Sequence, residues 1–266
     1  MNTLPQFLQD ALAQAHPSWH PALYQGLAAV KAADPEYLSN LSGSHFLPTA
    51  GRLFAAFAIP IDAVRYVLVG EGPYPREDSA TGFCFMDGAV TDLWSQETGG
   101  GLSKKVNRAT SLRNFIKMLL VTGGYLTLKN TSISAVAQVA SKAKATDSVF
   151  IQSLPELQDN LLAQGFLLLN ASLVFRSDVA PAKDAKAWLP FLQSIFLALN
   201  EQQNQTTVKP TVLVLWGKIA EQLQQMSVVS SFQQQIAEHP YNLSFIGNKN
   251  MQDFFAPLNL LYKRLA

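Results

Sequence analysis

The chain has 266 residues, 48% of them hydrophobic and 15% charged, with a formal net charge of +1. That size and apolar fraction suit one large α/β domain or two small ones with a sizeable core, and argue against disorder. The single cysteine, Cys84, excludes an internal disulfide framework and any all-cysteine metal or iron–sulfur site, and the near-neutral charge means that nucleic-acid binding must rest on local clusters.

In chain order, Leu4, Phe7, Leu8, Ala11 and Leu12 recur at helical spacing up to Pro17. A second helix follows Pro21 through Leu23, Leu27 and Val30, and residues 51–58 read as a short helix ended by Pro60. Residues 64–69 are apolar and β-branched, the pattern of a buried strand, and run straight into Gly70-Glu71-Gly72-Pro73. Residues 86–108, with three consecutive glycines at 99–101, read as a long flexible loop. A helix is predicted over 111–120. The polar stretch 122–150 holds a further candidate helix at 132–144 and has no evident place on a sheet.

A helix over 154–163 then leads into a strand over 166–169 that ends at Asn170. Helix 185–199 precedes strand 212–215, which ends at Trp216-Gly217. Helix 219–226 precedes a weaker strand, 235–237, ending at His239-Pro240, and a last helix is expected over 251–265. Strands alternating with helices predict an α/β fold. The expected form is a three-layer α/β/α single domain over 1–266, around a central, mostly parallel four-stranded sheet. In such sheets ligands bind beyond the carboxyl ends of the strands, and the unusual residues of this chain gather there.

Each of those residues has a plain structural reading beside a functional one. Gly70 and Gly72 suit a tight turn; between them Glu71 places a carboxylate beside backbone N–H groups, as acid–base chemistry requires. Tyr74 and Phe85 are packing rings or, alternatively, a steric wall and a stacking surface for a planar ligand. Asn170 is a helix cap or turn former, or a donor–acceptor pair matched to one edge of a pyrimidine. His239 is structural, or a neutral imidazole that stabilises a developing anion. Leu243 is core if buried and a wedge for a base stack if exposed. Lys104, Lys105, Arg108, Arg113 and Lys117 form a solvated basic face or a DNA backbone contact.

Other chemistry finds no support in the sequence. His16, His20, His45 and His239 make no metal-ligand set, and no phosphate-binding Walker sequence, Gly-x-Ser-x-Gly elbow or three-glycine dinucleotide turn is present. No apolar run reaches the ~18 residues that span a membrane. The chain opens without a basic segment leading into an apolar core, so a cytoplasmic protein is expected.

Taken in order, Gly70 to Tyr74, Gly82 to Phe85, Leu167 to Asn170, Leu215 to Gly217 and His239 to Ser244 closely resemble the motifs of classical uracil-DNA glycosylases. Arg176 and Trp188 also fit, and the resemblance covers roughly residues 19–264. It implies DNA as partner, a monomer with neither metal nor cofactor, and hydrolysis of the N-glycosidic bond of a flipped-out uracil. Phe85 would stack on the base, Tyr74 exclude a 5-methyl group, Asn170 read the uracil edge and His239 stabilise the leaving base. Leu243 would enter the duplex, with Pro240 beside it and Ser111 and Ser244 near phosphates. The classical motif has aspartate where this chain has Gly72, and Pro75 replaces the histidine that follows. The Gly-Glu-Gly-Pro turn with Glu77 and Asp78 is similar instead to the thermostable iron–sulfur branch, whose cluster cysteines are absent. Glu71, Glu77 or Asp78 would then supply the carboxylate. A catalytically impaired relative that binds DNA or a protein partner is the alternative, as is a glycosylase for another base.

Overall fold

The computed structural model describes residues 4–205 and 210–264. The chain opens with helices α1 (Gln6–Leu12), α2 (His20–Ala33) and α3 (Tyr37–Ser42), then strand β1 (Tyr66–Gly70). Helices α4 (Lys104–Arg108), α5 (Thr110–Thr122), α6 (Ile133–Ala143) and α7 (Leu154–Ala163) precede β2 (Phe166–Asn170). Helix α8 (Pro181–Gln205), β3 (Val212–Trp216), α9 (Lys218–Leu223), β4 (Gln233–Ala237) and α10 (Lys249–Phe255) complete the order.

The four strands form one sheet in the order β2-β1-β3-β4. β1 runs parallel to both neighbours, pairing Tyr66 with Phe166 and Val212, and Gly70 with Asn170. The α/β fold around a parallel four-stranded sheet is therefore as the sequence predicts. Parallel strands are buried on both faces, which is why these segments are continuously apolar. Val67, Val69, Leu167, Leu169, Leu213 and Leu215 point into one core with α1, α2, α3, α8 and α9. Leu68, Leu168 and Val214, which alternate with them, are equally buried. β4, at the edge of the sheet, is polar and leaves Ile236 exposed, as an edge strand tolerates.

The chain divides into two compact units, one made of Met1–Gly88 and Gly165–Gln234, the other of Ala89–Gln164 and Gln235–Ala266. In the first unit, α2 and α8 pack together over the sheet, and a stacked pair of rings, Phe54 and Phe191, lies within that core. A buried ion pair joins Arg176 to Asp184, which also accepts a 2.7 Å hydrogen bond from the Tyr37 hydroxyl. In the second unit, α5 packs on α10 through an edge-to-face contact of Phe115 with Phe255.

Two sequence expectations need correction, and a third is met in a tighter form. The short helix expected over 51–58 is present as a 3-10 helix over Arg52–Ala58, with Phe54 and Phe57 departing from helical backbone angles. The stretch 86–108 is pinned rather than a long flexible loop. Trp94 is buried, its indole N–H donates to the Ile151 carbonyl at 2.8 Å, and α4 lies within the segment. The last helix stops at Phe255 instead of continuing to 265. Pro257 cannot donate to a helical ladder, Asn259 turns into the left-handed region, and Leu265 itself lies outside the described residues. Elsewhere the differences are a few residues at element ends. A capping box between Ser153 and Glu156, for example, sets the start of α7. Among the described residues no helix is long and apolar enough to cross a membrane.

Candidate active site

In the first unit, the turn after β1 and the chain after β2 continue side by side beyond the sheet. Ala171 N–H donates to the Gly70 carbonyl at 2.8 Å and Ser172 N–H to the Glu71 carbonyl at 3.0 Å. Gly70 is required there by packing. A Cβ on it would stand 2.9 Å from Cys84 Cβ and 3.1 Å from Asn170 Oδ1. Asn170 is 2% exposed, and its side-chain amide has no hydrogen-bond partner among the described residues. The amide is left without a protein partner at the end of β2.

Cys84 behaves as the small buried hydrophobe that its composition-level reading suggests. Its Sγ lies 3.2 Å from the Leu68 carbonyl, its N–H donates to Leu168, and burial holds the thiol well above its usual range. The next residue, Phe85, has φ of +65°, a region that L side chains rarely adopt and that costs on the order of 1–3 kcal/mol. Its ring meets Trp216, at the end of β3, edge to face at 5.4 Å.

Tyr74 is half-buried. Burial, and next the Asp87 carboxylate, push its phenol well above the usual range, so the ring stays neutral. Asp87, 6% exposed and paired with Arg76 at 3.5 Å, is a carboxylate of this region that the sequence reading missed. Its position two residues after Phe85 was the available signal.

Of the three candidate acids, Glu77 accepts a hydrogen bond from Thr49 Oγ1 at 2.9 Å. Asp78, exposed, belongs to the turn beneath Gly88. Glu71 is exposed and lines an open groove of about 430 Å³ with Gly72, Pro73, Ser172, Phe175 and Lys218. Gly72 has ordinary backbone angles, and a Cβ there would be in normal contact with Ser172 at 3.5 Å. Its lack of a side chain is therefore not imposed by sterics.

The second unit holds Ser111, His239, Pro240, Leu243 and Ser244. Pro240 is buried, His239 is half-buried, Ser244 is exposed, and Leu243 is 69% exposed on a 3-10 turn, the condition for the wedge reading. Tyr241 N–H donates to His239 Nδ1 at 3.1 Å. An acceptor role leaves Nδ1 without a proton, so Nε2 carries the proton of a neutral ring. Asn114, buried in α5, donates through Nδ2 to the carbonyl of Pro240 at 2.8 Å, with Tyr241 and Asn242 at 3.3 and 3.4 Å. This tether of the 239–244 loop was also unread in the sequence. Ser111 stands one helical turn before Asn114 on α5. Among the basic residues, Lys104 is paired with Glu97 and Lys117 donates to the Thr131 carbonyl.

A parallel sheet whose strand ends carry Glu71 and Asn170 makes this an α/β protein with its candidate site at the carboxyl edge of the sheet. No family model matches the chain. A solved wild-type UNG from Nitratifractor salsuginis shares 34% identity and superposes with a TM-score of 0.86, over 99% of this chain and 100% of that one. The chain belongs to the uracil-DNA glycosylase superfamily. The curated uracil-DNA glycosylase of Corynebacterium glutamicum is 28% identical over 213 residues, covering 79% of this chain and 74% of that protein. The mimivirus enzyme, at 15% identity and a TM-score of 0.52 over 89% of this chain and 73% of its own, shows likeness of fold alone.

Proposed function

We propose that this chain is a DNA-repair glycosylase that hydrolyses the N-glycosidic bond of uracil flipped out of DNA. The observation that carries the reading is the buried Asn170 amide, held without a protein partner against Gly70 at the end of β2. A uracil edge offers that amide both an acceptor and a donor. Phe85 supplies the stacking ring and Tyr74 the wall against a 5-methyl group. Breaking the C–N bond develops positive charge on the sugar and negative charge on the base. The Nε2–H of His239 donates to the base as that charge grows.

Glu71 is the carboxylate assigned to the attacking water, since Gly72 stands where the classical motif has aspartate. Pro240, Leu243, Ser244 and Ser111 serve the DNA. The protein works as a monomer in the cytoplasm, with 1–266 as one functional domain and neither metal nor cofactor. The test is excision from uracil-containing oligonucleotides, single- and double-stranded, by the wild type, Asn170→Ala, His239→Ala and Glu71→Gln. Release of uracil by the wild type and loss of at least 100-fold in all three variants is expected. No abasic product from the wild type at high enzyme concentration would remove the catalytic reading. DNA binding that persists without turnover would leave an impaired, DNA-binding relative in its place.

A further inference from the structure

The net charge of +1 conceals an uneven distribution. The unit holding Asn170 carries nine Lys and Arg against twelve Asp and Glu, whereas the unit holding Leu243 carries eleven against seven. Within the second unit, residues 98–146 contain eight Lys and Arg and no acidic residue. That window includes a turn, Thr127–Asn130, which neither sequence reasoning nor the proposed chemistry uses.

The turn is well built. Asn130 N–H donates to the Thr127 carbonyl at 3.0 Å, and Asn130 Oδ1 accepts from the Ser132 hydroxyl at 2.7 Å. Lys117 Nζ donates to the Thr131 carbonyl at 2.7 Å and ties the turn to α5. Lys117 follows Asn114 by three residues, and Asn114 follows Ser111 by three. Neighbouring positions of α5, each one turn from the next, therefore carry the candidate phosphate-contacting serine, the tether of the Leu243 loop and the tether of this turn.

At its tip the turn exposes Leu128, 56% accessible, and Lys129. Leu128 Cδ2 lies 3.8 Å from where a side chain on Gly247 would begin. Gly247 ends the short 3-10 turn that Leu243 begins, four residues at a rise of ~2 Å each. Leu128 is thus within roughly 12 Å of Leu243, or three to four base-pair steps of ~3.4 Å. A cation and an apolar side chain exposed together at a turn tip match a phosphate and the sugar or base edge beside it; a nearby carboxylate, Glu238, is held by Asn248 Nδ2 at 2.7 Å.

We infer that the Thr127–Asn130 turn is a second DNA contact, with Lys129 on a backbone phosphate and Leu128 against the duplex a few base pairs from the Leu243 wedge. This rests on the reading of the chain as a uracil-DNA glycosylase and extends it to the mode of substrate binding.

Its test is equilibrium binding of a 20-base-pair duplex and of the matching single strand, both free of uracil. Fluorescence anisotropy is followed across a salt series for the wild type, Leu128→Ala, Lys129→Ala and the double variant. Lys186→Ala, an exposed lysine of the other unit, serves as control. Each neutralised phosphate contributes a slope of about 0.9 in log affinity against log salt. Lys129→Ala should therefore flatten the duplex slope by about that amount, and the control should not. Leu128→Ala should weaken duplex binding about three- to tenfold, and the single strand by less than twofold.

Duplex affinity and slope unchanged in the double variant would overturn the inference, even if the wild type excises uracil. So would a wild-type dimer that the Leu128 variant dissociates in sedimentation, since the tip would then be a self-association surface. A wild type that binds duplex through this turn without excising uracil would keep the inference and remove the catalytic reading. A wild type that neither binds nor excises would remove both.

Discussion

Gly70→Ala probes the contact on which the uracil reading depends. The added methyl would sit 2.9 Å from Cys84 Cβ and 3.1 Å from Asn170 Oδ1, and neither neighbour is the end of a long flexible chain. Both are buried and tied in: Cys84 by its N–H to the Leu168 carbonyl, Asn170 by its pairing opposite Gly70 in the β1–β2 ladder. Relief therefore requires that β2 move or that the Asn170 amide rotate. Overpacking of this kind costs about 1–3 kcal/mol. At about 2–4 °C per kcal/mol for a chain of this size, Tm should fall by roughly 2–12 °C. Catalysis should suffer separately. A displaced amide loses its hydrogen bonds to a base that is gaining negative charge, and such bonds are worth about 1.5–3 kcal/mol. That corresponds to a loss of roughly 10- to 150-fold in kcat/KM, since each 1.36 kcal/mol is about tenfold. Differential scanning calorimetry and steady-state excision of uracil from a single-stranded oligonucleotide measure the two effects independently. A variant within about 1 °C of the wild type, with kcat/KM within twofold, would refute the close approach and with it the role given to Asn170.

Three further outcomes are expected. Gly72→Asp should fold with nearly unchanged Tm, because its Cβ meets Ser172 only at ordinary contact distance; it should restore excision to Glu71→Gln, and a 100-fold gain in the otherwise wild-type chain would instead show that Glu71 does not serve the water. Asp184→Ala should cost about 3–5 kcal/mol in urea unfolding, because it strands a largely buried Arg176 and removes the acceptor of Tyr37; a loss below about 1 kcal/mol would contradict this. Stability should fall between pH 10 and 12. Burial, and next the hydrogen bond to Tyr125, push Tyr262 up to about 12 from 10, so the unfolded chain loses that proton first as pH rises. The stabilisation is full below pH 10 and lost through 12, and thermal melts of Tyr262→Phe should show a shallower alkaline decline.

The parallel sheet was legible because a strand covered on both faces has to be apolar throughout, and residues 166–169 and 212–215 are. The candidate site residues stand out in the sequence for a related reason. Asn170 and Glu71 interrupt apolar patterns at the points where the chain leaves β2 and β1, whereas His239 follows the polar edge strand β4. Three features were not legible. The strain at Phe85 is a backbone angle that no side chain announces. The tether from Asn114 spans 126 residues to Pro240, and nothing local to either residue encodes it. The order of 86–108 comes from Trp94 reaching the carbonyl of Ile151, so its glycines were read as slack when the segment is held from a distance.

Charge illustrates the same separation of scales. Read over the whole chain, +1 counts against nucleic-acid binding. Yet electrostatic attraction falls off over about 8–10 Å in physiological salt, so a DNA strand responds to the charges nearest it and not to the total. The unit that holds Leu243 has an excess of four positive charges, and the acid-free window that supplies it spans Ser111, Lys117 and Lys129. The unit that holds Asn170 has an excess of three negative charges. The task proposed for it is to hold a neutral base by its edge and stack on its face, for which positive charge is not needed. The near-zero sum is what results when backbone attraction and base recognition are assigned to different parts of one chain.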